Sequence, residues 1–118
     1  MMDQPVLVLE DEAVVAMDIA AEIKDAGWRV LGPAGTLERA AELLKVERPA
    51  AAVLDVNLGG ERSLDLARQL RDDGVAVMFL TGYAPGVIPD ELSGCLVLPK
   101  PIDLDAMVRA LSELAPRS

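Results

Sequence analysis

Five residues of this chain could do chemistry together: Glu10, Asp11, Asp55, Thr81 and Lys100. Glu10 and Asp11 end the apolar run Val6-Leu7-Val8-Leu9, which reads VLVLEDE with Glu12 included. Asp55 ends a second run in AAVLDVNLGG, Thr81 a third in VMFLTGY, and Lys100 a fourth in LVLPKP. A hydrophobic core has no use for ionised carboxylates, so acids at the ends of buried runs point to a site at its rim. Three carboxylates gathered there would repel one another, and without a cation some would be driven to take up protons. A hard divalent ion relieves this. Oxygen donors without His or Cys suit Mg²⁺, which keeps several waters and binds through a few carboxylates plus a phosphate oxygen. An aspartate can also attack phosphorus and become an aspartyl phosphate. Such a transfer asks the protein mainly for positioning and charge neutralisation. The Lys100 ammonium would neutralise one phosphoryl oxygen, and the Thr81 hydroxyl would donate to another.

These residues form a site only if the fold brings the ends of their runs together. The candidate strands are Val6–Leu9, Trp28–Leu31, Ala51–Val56, Ala76–Leu80 and Leu96–Leu98, most of them continuously apolar, as in parallel strands covered on both faces. Segments of helical period lie between them. Val15, Ile19 and Ile23 recur before Gly27. Leu37, Ala40, Ala41 and Leu44 make a stripe after Thr36, a candidate N-cap, and Leu64, Ala67 and Leu70 do the same after Ser63, in the same cap position. Leu104, Met107, Val108, Leu111 and Leu114 follow Asp103, a candidate cap. The segment APGVIPDELS, residues 84–93, leaves room for barely two turns of a helix among its prolines and glycine. Alternation of five strands with five helices predicts right-handed βαβ units in a three-layer α/β domain spanning residues 1–118. Among doubly wound sheets of this size the flavodoxin-like order 2-1-3-4-5 fits best, with a crevice at the carboxyl ends of the first and third strands. Glu10, Asp11 and Asp55 fall at that crevice. Trp28 falls at the opposite end of the sheet.

Composition narrows the function classes. A chain of 118 residues with 52% hydrophobic residues is long enough to bury one core without staples. The net charge of −9 argues against nucleic-acid binding, which needs clustered Lys and Arg. There is no histidine, so the chain has neither a Ser–His pair nor a His-containing zinc site, and it cannot itself carry phosphohistidine. The single cysteine, Cys95, reads as structural or incidental and fits a reducing compartment. The start MMDQP does not read as a signal peptide, and the apolar run Val75–Leu80 is far too short to span a bilayer. The expectation is a soluble, cytoplasmic protein with no membrane or nucleic-acid partner.

Taken in order, Glu10-Asp11 after VLVL, Asp55 in LDVNL, Thr81-Gly82 and Lys100-Pro101 resemble the response-regulator receiver domain of two-component signalling, over essentially the whole chain. The resemblance implies that Asp55 accepts phosphate from the phosphohistidine of a sensor histidine kinase or phosphotransfer protein. It implies Mg²⁺ bound by Asp11, Asp55 and the backbone carbonyl of Asn57, with Glu10 acting through water. It further implies that Thr81 and Lys100 attend the phosphoryl group, and that the peptide between Lys100 and Pro101 is often cis. Such a protein is not an enzyme but a phosphoacceptor that assists its own phosphorylation and dephosphorylation. With no residues left for an output domain, the chain is expected to act as a single-domain regulator. It would relay phosphate, act as a phosphate sink, or bind an unknown downstream protein.

The chain departs from the common receiver pattern in one place. Val97 stands where most receivers carry a fifth-strand Tyr or Phe, which leaves Tyr83 as the substitute switch. MFLTGYAPG is similar to the "FAT GUY" subgroup, mostly stand-alone receivers paired with HWE-type kinases, although Leu80 stands where that motif has Ala. Ordering of the segment from Tyr83 to Ser93 would then carry the signal. Glu12 reads as a solvated helix start. Two rivals remain. One is a receiver-like interaction module that never turns over phosphate, against which the complete site argues. The other is a small Asp-nucleophile phosphatase of haloacid-dehalogenase type, which needs a second Asp where Asn57 stands.

Overall fold

Alternate residues of each core strand face opposite helical layers, which is why the strands are apolar without interruption. The computed structural model describes residues 4–58, 61–82 and 95–114, with the backbone alone described at positions 57, 58, 61 and 62. Strands β1 (Val6–Leu9), β2 (Val30–Ala34), β3 (Ala51–Asp55), β6 (Ala76–Thr81) and β7 (Leu96–Pro99) form one parallel sheet in the order β2-β1-β3-β6-β7. Counting the strands of this sheet alone, the order is 2-1-3-4-5, as expected. Val6, Val8, Ala51, Val53, Met78 and Leu80 pack on one face, with Ile19 and Ile23 of α1 (Ala13–Asp25) and Met107 and Leu111 of α4 (Leu104–Leu114). Leu7, Leu9, Ala52, Leu54, Val77 and Phe79 pack on the other, with Ala40 of α2 (Leu37–Val46) and Ala67 and Leu70 of α3 (Leu64–Asp72). The result is three layers with a largely aliphatic core on each side of the sheet.

Helix ends follow local chemistry. Thr36 Oγ1 accepts the Arg39 amide at 3.0 Å, and an Asp103 carboxylate oxygen accepts the Ala106 amide at 3.0 Å, so these two expected N-caps form. At the end of α1, Gly27 has φ +98°, its amide donates to Lys24 and the Trp28 amide donates to Ile23. Gly74, φ +85°, closes α3 in the same way. The Gly27 turn corrects one expected boundary. Trp28 does not begin a strand, because its amide is held by the helix it follows, and β2 starts two residues later. At its far end β2 runs past Leu31 to Ala34, through a cis Gly32–Pro33 peptide and a register break against β1. A proline lacks a ladder donor, but β2 is an edge strand, where that loss is tolerated.

Two further differences concern the loops. Asn57–Leu58 (β4) and Glu61–Arg62 (β5) pair as a two-stranded antiparallel ribbon that none of the five expected strands covers. Four of the five expected helices are present, and the segment 84–93 lies outside the described residues. Among the described residues no helix is long and apolar enough to cross a membrane.

Candidate functional site

Strand register alone lines up the chemistry-bearing residues. Leu9 pairs with Leu54, so Glu10 and Asp55 come side by side one residue further on. Asp55 pairs with Leu80, which Thr81 follows, and Thr81 pairs with Pro99, which Lys100 follows. Backbone bonds continue past the strand ends. The Glu10 amide donates to Ala34 (3.0 Å), the Val56 amide to Leu80 (3.0 Å), and the Lys100 amide to Thr81 (2.9 Å). All of this lies at the carboxyl edge of the sheet, where β1 and β3 adjoin and their connections diverge to opposite layers.

Side chains complete the arrangement. Carboxylate oxygens of Glu10, Asp11 and Asp55 all lie within 4.8 Å of one another. The Lys100 ammonium reaches in from the end of β7. Its Nζ lies 3.1 Å from Asp55 Oδ2, to which it donates, 3.0 Å from Glu10 Oε1 and 3.7 Å from Glu12 Oε1. Glu10 is only 2% exposed, and its Oε2 accepts the Glu12 amide at 3.0 Å. Glu10 Oε1 receives no hydrogen bond of good direction, although the ammonium is close enough to pair with it electrostatically.

The electrostatics follow from that crowding. Burial pushes the Glu10 carboxyl above its ordinary range, and the Asp55 charge pushes the same way. The Glu12 amide and the Lys100 ammonium pull it down, but not enough to reverse the shift. For Lys100 burial works towards a lower value. Its close contacts with Glu10 and Asp55, and the attraction of both carboxylates, outweigh it and hold the ammonium above its ordinary range. Lys100 is therefore a cation held among acids.

The site fits Mg²⁺ on this geometry. Its donors are all oxygens, three carboxylates converge, and a buried oxygen of Glu10 has a free direction. Asp11 is the exposed member of the three, open to a hydrated ion. Thr81 is buried at the end of β6 beside Lys100 in the strand register. Asn57 pairs through its backbone with Arg62 in the ribbon just beyond Asp55. Tyr83 lies outside the described residues. Val97 is partly exposed on β7, so the fifth strand presents an aliphatic residue where an aromatic one is usual. Glu12 is solvated at the start of α1 as expected, yet it also faces Lys100. Half-buried Cys95 packs against the α2–α3 side of the core, and burial raises its thiol pKa. The Lys100–Pro101 peptide is cis.

One residue near the site does not play the role its position in the sequence predicts. Ser63 precedes α3 as a cap would, but its side chain makes no capping bond. Its Oγ donates instead to the backbone carbonyl of Asp55 at 2.6 Å. The signal available was weak: a serine before a helix predicts a cap, and only the hairpin-like return of β5 brings it under β3.

Comparison with known proteins agrees with this fold. Residues 6–112 match the family model for the response regulator receiver domain. The transcriptional regulatory protein PdtaR of Mycobacterium tuberculosis is 27% identical over 114 residues, covering 93% of this chain and 55% of PdtaR. The chain spans about half the length of the curated relatives it matches first. A response regulator from Burkholderia pseudomallei, solved with a phosphorylated aspartic acid, calcium ion and citrate, superimposes with a TM-score of 0.81 at 26% identity. That match covers 97% of this chain and 68% of the other. SdrG from Sphingomonas melonis Fr1 matches with a TM-score of 0.80 at 29% identity, over 97% of this chain and 98% of its own. With an acid pair, a central aspartate, a threonine and a lysine at one sheet edge, and a family match over nearly all of its length, the chain belongs to the response regulator receiver domains.

Proposed function

We propose that this domain is a phosphorylation switch in which Asp55 accepts a phosphoryl group from a phosphohistidine of a sensor histidine kinase, in one version HWE-type, or of a phosphotransfer protein. The observation that carries the reading is the Lys100 ammonium 3.1 Å from the Asp55 carboxylate, beside a cluster of three convergent acids. In the transfer an Asp55 carboxylate oxygen forms the bond to phosphorus as the P–N bond to the donor imidazole breaks. The imidazole leaves with that electron pair. These 118 residues contain no histidine, so the donor imidazole lies outside them.

Asp11 and Asp55, with the Asn57 carbonyl, would hold Mg²⁺, and Glu10 would reach it through water. The ion supplies charge neutralisation for the phosphoryl oxygens. Lys100 exchanges its contact with Asp55 for one with a phosphoryl oxygen, and the Thr81 hydroxyl donates to another. Hydrolysis reverses the state, as water attacks phosphorus and returns Asp55 as carboxylate.

A groove of about 460 Å³ opens next to Lys100. Val15, Ile19, Ile102 and Leu104 give it apolar walls, and Glu12 and Asp18 put carboxylates at its side. Val14 and Met17 stand exposed on the same helix, α1. Such a surface suits a helical phosphodonor with a basic flank. The switched domain would then relay the group, act as a sink for it, or bind a downstream protein, and the FAT GUY-like stretch around Thr81 favours a stand-alone regulator.

The test is intact-mass measurement after incubation with acetyl phosphate and Mg²⁺, beside Asp55→Asn. A phosphate-sized gain in wild type and none in the variant is the expected result. Equal gains, or none in either, would overturn the reading.

A further inference from the structure

We propose that Ser63 is a positioning residue for Asp55, fixing the peptide plane from which the acceptor carboxylate is presented; this rests on the reading of Asp55 as phosphoacceptor. Ser63 is fully buried, and its Oγ donates to the Asp55 carbonyl at 2.6 Å across eight residues of chain. Its own amide makes a longer bond, 3.4 Å, to the next carbonyl, that of Val56. The other edge of the Asp55–Val56 peptide is held as well, because the Val56 amide donates to Leu80 at 3.0 Å. One peptide unit is thus gripped on both sides, by β6 through its N–H and by Ser63 through its C=O.

The grip matters because of where it acts. Asp55 is the last residue of β3, and the chain turns immediately afterwards into the β4–β5 ribbon. Beyond the Val56 amide, pairing with β6 no longer fixes the backbone. The Asp55 carboxylate projects from a Cα whose orientation is set by the flanking peptide planes, while Lys100 and the other two acids are fixed by different strands. Ser63 is spared from capping α3, since it sits at φ −87° and ψ 7°, and a cap adopts extended backbone. Its hydroxyl is committed to the acceptor strand. A misplacement on the order of 1 Å between reacting groups costs about 100-fold in rate, so a partial release of this plane is expected to show first in phosphorylation.

The experiment compares wild type with Ser63→Ala, which deletes the donor, and Ser63→Thr, which keeps it. Leu70→Val, at the far end of α3, serves as a stability control. At a temperature where all are folded, the rate constant for acetyl phosphate at saturating Mg²⁺ falls roughly 10-fold or more in S63A. S63T recovers at least half of that loss on a logarithmic scale, and L70V keeps the wild-type rate. An S63A rate within about twofold of wild type, an S63T rate as low as that of S63A, or an equal fall in L70V would overturn the proposal. Calorimetric titration with Mg²⁺ alone keeps the two readings apart. Should wild type take up no phosphate, the acceptor reading fails, and Ser63 is then judged by Mg²⁺ affinity: severalfold weaker binding in S63A supports its role, and equal binding ends it.

Discussion

Replacing Lys100 with Met keeps most of the side-chain volume and removes the ammonium that sits 3.1 Å from Asp55 and 3.0 Å from Glu10. At about 3 Å and an effective dielectric constant near 20, each contact has a gross attraction of roughly 5 kcal/mol, most of it cancelled by the desolvation of the charges. What the variant loses is set by what its abandoned carboxylates can do. At pH 7 one of them can escape by taking up a proton. From an ordinary Glu value of 4.5 that costs 1.36 kcal/mol per pH unit, or about 3.4 kcal/mol, which is a ceiling on the damage. The Lys100 side chain is 23% exposed, so water relieves part of it, and the expected loss is about 2–3 kcal/mol. At pH 5 the same escape costs only about 0.7 kcal/mol, and the loss shrinks accordingly. Mg²⁺ offers the other relief. It should bind more tightly to K100M than to wild type and recover at least about half of the stability lost at pH 7. Urea unfolding at pH 7 and pH 5, with and without Mg²⁺, measures all of this. A loss below about 0.5 kcal/mol, or one indifferent to both pH and Mg²⁺, would refute the idea that Lys100 holds these acids together.

Other outcomes follow from the same geometry. Glu10 has a folded pKa raised above 4.5, so keeping it ionised costs the folded state stability that develops as pH rises from 4.5 through the folded value. Glu10→Gln is therefore more stable than wild type at pH 7 without metal and equal to it below pH 4.5, as thermal melts will show. Gly32 has φ +106°, and a Cβ there would lie 2.8 Å from the Ala34 nitrogen and 3.2 Å from the Val8 oxygen. Gly32→Ala should cost at least about 1–2 kcal/mol in urea unfolding, whereas Gly35→Ala, with open space around it, should stay within about 0.5 kcal/mol. Trp28 packs at the amino end of the sheet, two residues before the Val30–Val6 pair, roughly 13 Å of strand from Glu10. Its emission should not change on Mg²⁺ addition, and a large saturable quench would contradict its placement.

The sequence made the site legible because each of its residues closes an apolar run. Once parallel order is assumed, Glu10, Asp55, Thr81 and Lys100 must meet at one edge, and the observed register puts them on neighbouring rungs. Helix caps were legible where a side chain had a single obvious partner, as at Thr36 and Asp103. They were not legible at Ser63, whose partner depends on a ribbon that no local pattern announces. Strand boundaries failed at β2 for two physical reasons. A helix-closing turn claims the Trp28 amide, and an edge position tolerates Gly32-Pro33 inside a strand where composition suggests a break. The crowding of Lys100 by Glu10, Asp55 and Glu12 was also invisible, since the sequence says which residues share an edge but not which atoms touch.

Asp55 is the residue on which the proposed switch depends. Treating the protein with acetyl phosphate and Mg²⁺, reducing any acyl phosphate with borohydride and sequencing the peptides by mass spectrometry locates the acceptor directly. Conversion of position 55 to homoserine, at no other aspartate, is the predicted result. Homoserine at another acid, or at none while wild type still gains phosphate, would contradict it.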